Sequence, residues 1–200
     1  MNIFYSQIGQ DKWVLDRHDN KTGGFFVDIG AHDGIELSNT YTLEKDFGWY
    51  GICVEANPES FIKLKENRTC SLENSPVLDT SGITVPFYAH EEDPMLSAVA
   101  PFGYVKDYDN NCFRYPQHHL TTISLNNLLQ KHGAPSTIDY ISIDVEGFEK
   151  EILETFNFTE YDIKCWTVEA NGPDTELILD MFKHENYTTE LRSWDIFVWR

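Results

Sequence analysis

The residues best equipped for chemistry are acids placed where apolar runs end. Asp28 and Gly30 close the run "FFVDIG", and Glu55 closes "YGICVEA". Asp144 and Glu146 follow "YISI" in "SIDVEGFE", and Glu169 and Asn171 end "CWTVEAN". Runs this rich in β-branched and aromatic residues read as buried strands, and an ionised carboxyl at their ends is costly unless it finds a partner. An acid at the tip of a second strand can accept hydrogen bonds from both hydroxyls of a ribose, so Glu55 points to a cofactor that contains a nucleoside.

The loop after the first strand narrows the choice. A dinucleotide favours G-x-G-x-x-G, which lets the backbone approach a pyrophosphate. Here the loop is Gly30-Ala31-His32-Asp33-Gly34, with His32 in place of the second glycine and Asp33 adding negative charge where phosphates would lie. S-adenosylmethionine, which carries a sulfonium, an ammonium and a single carboxylate, suits such a loop, with Asp28 on the ammonium side. A tight turn capped by an acid would account for Asp28 and Gly30 alone; Glu55 tips the balance toward a cofactor.

Asp144, Glu169 and Asn171 fall on neighbouring strand tips and form an oxygen-only set suited to Mg²⁺, Ca²⁺ or Mn²⁺. A cation there would lower the pKa of a substrate hydroxyl and orient it. The metal-free alternative makes Asp144 or Glu146 a general base, and His32 is a third candidate as base or substrate ligand. The sequence leaves these routes open. Glu146 and Glu149 also suit the first turn of a helix without any catalytic role. No zinc spacing, P-loop or G-x-S-x-G elbow occurs.

These acids need a scaffold that gathers strand ends. Strands at 25–30, 50–56, 76–80, 82–89, 138–145 and 165–170 alternate with helices at 35–48, from Pro58, from Ser124 to Gly133, at 147–156 and around Leu177 to Phe182. Asn57 followed by Pro58 is an N-cap with proline at the first helical position. "YTTELRSW" and "DIFVWR" form a terminal antiparallel hairpin. The pattern predicts an α/β fold, Rossmann-like, with a mostly parallel sheet, right-handed crossovers and ligands at the carboxyl ends of the strands. The expected organisation is one domain over 1–200. Its rhythm breaks at 91–120, rich in Pro, Gly, Tyr, Asp and Asn, which reads as a surface excursion on the acceptor side. Phe102, Tyr104, Tyr108 and Tyr115 in that excursion would stack on sugar faces or fold into a small core of their own.

The formal net charge of −18 opposes nucleic acid and anionic membranes as partners. Cys53, Cys70, Cys112 and Cys165 lie far apart without C-x-x-C and read as reduced thiols of a cytoplasmic protein. Neither a basic n-region followed by an apolar run at the N-terminus nor a stretch of membrane-spanning length is present. The triplets at Asn67 and Asn157 match glycosylation sequons without a secretory context.

The chain resembles the FkbM-type methyltransferases, a branch of the class I S-adenosylmethionine-dependent enzymes. The resemblance rests on "SQIGQDKWVLD", "GGFFVDIGAHDGIELSNTYTLEKDFGWYGICVEANP" and "IDYISIDVEGFEKEIL". It implies a seven-stranded sheet whose last strand is antiparallel. It implies that Asp28, Gly30 with Ala31, and Glu55 with Ala56 hold the cofactor, with Ser38 and Asn39 near its amino-acid moiety. By the same analogy Asp79 contacts the adenine, and Gln7 and Gln10 fold over from the N-terminal side. The family usually has Asn where this chain has His32. It mostly methylates hydroxyl oxygens, often of sugars in glycans or of secondary metabolites, so the expected acceptor is a small molecule or glycan. Against this stand a nucleotide-dependent oxidoreductase on a related sheet and a non-catalytic S-adenosylmethionine-binding module.

Overall fold

Strand β1, Phe25–Ile29, is buried along its whole length, as "FFVDI" demands, and becomes the middle of the sheet. Parallel to it lie β2 (Tyr50–Val54) on one side and β9 (Thr137–Ile143) on the other. The computed structural model describes residues 3–90, 93–99, 117–170 and 172–200. The strands β3 (Ser71–Glu73), β10 (Asp162–Glu169), β11 (Thr188–Arg192) and β12 (Asp195–Trp199) complete a seven-stranded sheet in the order β11-β12-β10-β9-β1-β2-β3. β12 runs antiparallel to β10 and pairs with β11 as the expected terminal hairpin. The α/β, Rossmann-like architecture read from the sequence is therefore present.

Among the described residues six α-helices flank the sheet: α1 (Gln10–Arg17), α2 (Tyr41–Phe47), α3 (Pro58–Asn67), α4 (Leu125–Lys131), α5 (Glu149–Glu154) and α6 (Thr175–His184). Side chains alternate along a strand, so each strand feeds two cores. Val27, Ile29, Ile52, Ile141 and Trp166 pack with Leu128, Ile152 and Phe182 from α4, α5 and α6. Phe26, Cys53, Tyr140, Cys165 and Phe197 pack with Trp13, Leu43 and Leu64 from α1, α2 and α3. The second set fixes the site, because the next residues on that face, moving toward the carboxyl ends, are Asp28, Glu55, Ser142, Thr167 and Asp195. α3 starts as anticipated, with Asn57 Oδ1 accepting from Glu59 N–H (3.0 Å) ahead of Pro58.

Three elements differ from the sequence reading. The third strand of the main sheet is β3, whereas the stretch expected there supplies only β4 (Val77–Leu78), which pairs with β8 (Ile123–Ser124). The helix expected over 35–48 begins only at Tyr41, because Gly34 and Leu37 take positive φ (84° and 52°) and hold the chain as a loop across the sheet. The 91–120 excursion has structured ends: β6 (Ala98–Val99) and β7 (Gln117–Thr121) pair antiparallel with β5 (Thr84–Tyr88). Phe102, Tyr104, Tyr108, Tyr115 and Cys112 lie outside the described residues. Among the described residues no helix is long and apolar enough to cross a membrane.

Candidate active site

The carboxyl ends of β1, β2, β9 and β10 and the β11–β12 turn enclose a cavity of about 510 Å³. Asp28, Glu55, Asp144, Glu146, Glu169 and Asp195 all line it, and among the described residues no lysine or arginine does. Six acids from the ends of five strands thus share one space with no lysine or arginine among the described residues, which fits a positively charged ligand without phosphates.

Gly30 makes the meeting of strand ends possible. Its φ is +91°, and a Cβ there would lie 1.8 Å from the Asp144 carbonyl oxygen. Asp144 N–H donates to Ile29 C=O (2.9 Å), so β1 and β9 stay joined up to the residues that line the cavity. Gly30 and Ala31 both donate their N–H groups to Val54 C=O.

Glu55 is buried. One of its oxygens accepts from His32 N–H (2.8 Å) and the other from Asn57 N–H (2.7 Å). Burial pushes its pKa up to about 7 in spite of those bonds. Each carboxylate oxygen has a second lone pair, free to face a ribose. Ala56 lines the wall beside it.

Asp28 is buried one strand over, its Oδ2 accepting from Thr40 Oγ1 (2.5 Å). Burial raises its pKa, while the Arg68 guanidinium and the Thr40 hydroxyl pull it down. Arg68 was not anticipated. Its side chain is fully buried, and it donates to Glu44 (2.6 Å), Thr40 Oγ1 (2.9 Å) and Gly34 C=O (3.2 Å). Glu44, buried but ringed by Arg68 and Thr69 donors, is held down at about 2. The sequence signal was slight, since "NRT" reads as a surface triplet.

Ser38 and Asn39 line the cavity. Ser38 Oγ accepts from Tyr41 N–H (3.1 Å), which caps α2. Asn39 Nδ2 donates to Ser142 Oγ (2.8 Å), which leaves Asn39 Oδ1 buried with no hydrogen-bond partner among the described residues. An orphaned buried acceptor is costly, and an ammonium would satisfy it. The residues present therefore fit S-adenosylmethionine.

Gln7 lines the cavity and is exposed. Gln10 lines it too, but its amide is committed: Nε2 donates to Asp195 Oδ2 (2.7 Å). Asp79 departs from expectation. It is exposed and outside the lining, because β4 turns away after Leu78; Ser75, Pro76, Val77 and Leu78 form that wall instead.

At the other end Asp144, Glu146 and Glu169 offer oxygens that all lie within 4.8 Å of one another. Asp144 is open to the cavity on one side, but surrounding protein strips most of its water, and that burial, then Glu146 and Glu149, raises its pKa well above normal. It hydrogen-bonds to Glu169, whose pKa burial and the neighbouring acids push to about 11. Glu146, at φ +59°, is held at about 7 by burial, Glu149 and Asp93. Asn171, expected as a metal ligand, lies outside the described residues. Glu149 turns back on its own loop, accepting from Val145 N–H (3.0 Å) and Gly147 N–H (3.2 Å). His32, at φ +48°, faces the cavity with Nδ1 3.3 Å from Ser60 Oγ, and burial lowers its pKa. His118 and His119 lie on β7, outside the lining.

Comparison with known proteins bears on the fold and the family separately. The precorrin-6y C5,15-methyltransferase of Geobacter metallireducens GS-15 superposes with a TM-score of 0.50 at 12% identity, over 95% of this chain and 87% of that one. The N-terminal domain of human METTL16 aligns at a TM-score of 0.45 and 13% identity, over 94% of this chain and 67% of that one. No curated protein matches the sequence. The first of these likenesses shows the α/β, Rossmann-like fold alone. Residues 28–189 match the methyltransferase FkbM domain, and the chain belongs to that family.

Proposed function

We propose that the protein transfers a methyl group from S-adenosylmethionine to a hydroxyl oxygen, that of a sugar or glycan. One observation carries this reading: acids from separate strands converge on a single cavity that no lysine or arginine lines among the described residues. The absence of a phosphate-binding cation there speaks against a nicotinamide dinucleotide. When bound, the cofactor supplies an electrophilic methyl on a sulfonium.

The chain's own residues do the rest. Glu55 holds the ribose hydroxyls, and Asn39 Oδ1 and Asp28 favour the ammonium. Thr40 and Arg68 fix the Asp28 carboxyl from behind. Asp144 and Glu169, hydrogen-bonded to each other, present their carboxyl oxygens to an alcohol; Asp144, Glu146 or neutral His32 accepts the proton that the acceptor oxygen loses. Mg²⁺ or Mn²⁺ would be held by Asp144, Glu146 and Glu169, whose mutual repulsion a cation relieves. The acidity of the whole chain disfavours nucleic acid as acceptor. The compartment proposed is the cytoplasm, where Cys53, Cys70 and Cys165 stay reduced.

The test is incubation of acceptor mixtures, sugars first, with methyl-labelled S-adenosylmethionine, followed by mass spectrometry. Label on a sugar oxygen is the expected result. Tight NAD(P) binding with no response to S-adenosylmethionine in calorimetry would end the reading. Full turnover in excess chelator would remove the metal and leave the side-chain base.

A further inference from the structure

The cavity has an apolar rim that the methyl-transfer chemistry does not use. Leu37, Leu96 and Trp194 expose 41%, 40% and 43% of their surface, and all three line the cavity. Single exposed apolar side chains are ordinary, but a group of them around one cavity marks a place where a ligand covers them.

Trp194 is the most constrained of the three. It occupies the two-residue turn between β11 and β12, with Ser193 at φ +54°. Its carbonyl accepts from Ala170 N–H (2.7 Å), the residue after Glu169. Asp195, next in the chain, pairs in register with Glu169 and is held by Gln10 (2.7 Å). The backbone that carries the indole is thus tied to the strand end that carries Glu169, and the side chain lines the same cavity as Glu169 and Asp144; it is the one exposed tryptophan, since Trp13, Trp49 and Trp166 are buried and Trp199 is half-buried.

We propose that Trp194 is the platform on which a pyranose acceptor stacks its C–H face, with its hydroxyl edge turned to Asp144 and Glu169. A flat apolar surface in the same cavity as two carboxyls matches a sugar, which is apolar on its faces and carries hydroxyls at its edge. A quaternary ammonium would also sit on an indole, but it carries no edge of hydroxyls to turn toward the two carboxyls. This assignment rests on the methyltransferase reading and names the acceptor class and its positioning residue.

The experiment follows Trp194 emission under acrylamide quenching in protein loaded with S-adenosylhomocysteine, with Trp194→Phe as the blank. The probes are the methyl glycosides of glucose, galactose, mannose, rhamnose and fucose, with choline as the cationic control. At least one glycoside protects Trp194, and choline does not. For that glycoside, Trp194→Ala raises KM about tenfold, the scale of one lost aromatic contact, more than it lowers kcat, and Trp194→Phe recovers most of the loss. Protection by choline alone, protection by none, or a fall in kcat without a rise in KM overturns the proposal. Calorimetry separates the two levels: absence of S-adenosylhomocysteine binding sinks the methyltransferase reading, whereas binding without Trp194 protection sinks only the stacking platform.

Discussion

At the scale of single residues, the acids divide into those that hold and those that react. Glu55 is pinned by two backbone N–H groups, one on each oxygen. Glu55→Gln puts an amide NH₂ against one of those donors and removes a charge-assisted acceptor, whose loss is worth about 1.5–3 kcal/mol. Affinity for S-adenosylmethionine should fall about 10- to 100-fold by calorimetry. Among the described residues no backbone N–H reaches the Asp144 carboxyl, which hydrogen-bonds instead to Glu169. Asp144→Asn should lower kcat by roughly 10²–10⁴-fold, the usual reach of a positioned acid or base, and change cofactor affinity far less. Equal, small effects from the two substitutions would show that the proposed division between the two ends of the cavity is wrong.

At the scale of elements, the site depends on how α2 and α3 are joined behind it. Arg68, just past the end of α3, ties Glu44 of α2 and the loop residues Gly34 and Thr40 into one buried set. Arg68→Met leaves Glu44 buried without its partner, and breaking such pairs costs about 3–5 kcal/mol. Denaturant melts should show that loss, and the double variant Arg68→Met with Glu44→Leu should regain a large part of it. If the double variant is no more stable than the single, the buried pair is not what joins the helices. This pair also marks where sequence reading stops. β1, β2, β9, β10 and the terminal hairpin were legible because apolar runs of the right length leave little choice, and the acids at their ends were legible because burial makes an acid conspicuous. Glu44 and Arg68 lie 24 residues apart, and nothing local in "TLEKDF" or "ENRTC" announces a partner. β3 was missed because Ser71–Glu73 is short and polar beside the apolar "PVL" that drew the assignment, and Asp79 was misplaced with it. Trp194 was read as part of a hairpin, since a turn residue shows its role only once the turn is seen to overhang a cavity.

At the scale of the whole molecule, a net charge of −18 works against gathering acids in one place. Glu55 shows the consequence. Its pKa is raised from 4.5 to about 7, with burial as the main cause and Asp28 adding to it. The folded state therefore binds more protons than the unfolded chain between those values. Stability from this group is fully present below 4.5 and is lost as pH rises through 7, by about 3 kcal/mol. Asp28 shifts in the same direction. His18 and His32, lowered by burial, act oppositely below 6.5. Glu44, held at about 2, is constant from pH 5 upward. A bound cation offsets the penalty on ionised acids, so the cofactor should stabilise most where they are ionised. Thermal melts with and without saturating S-adenosylmethionine should show a larger rise in Tm at pH 8 than at pH 5.5. An equal rise at both pH values would mean that the cofactor does not sense the charge on Glu55 and Asp28, and the electrostatic basis assigned to the site would fall with it.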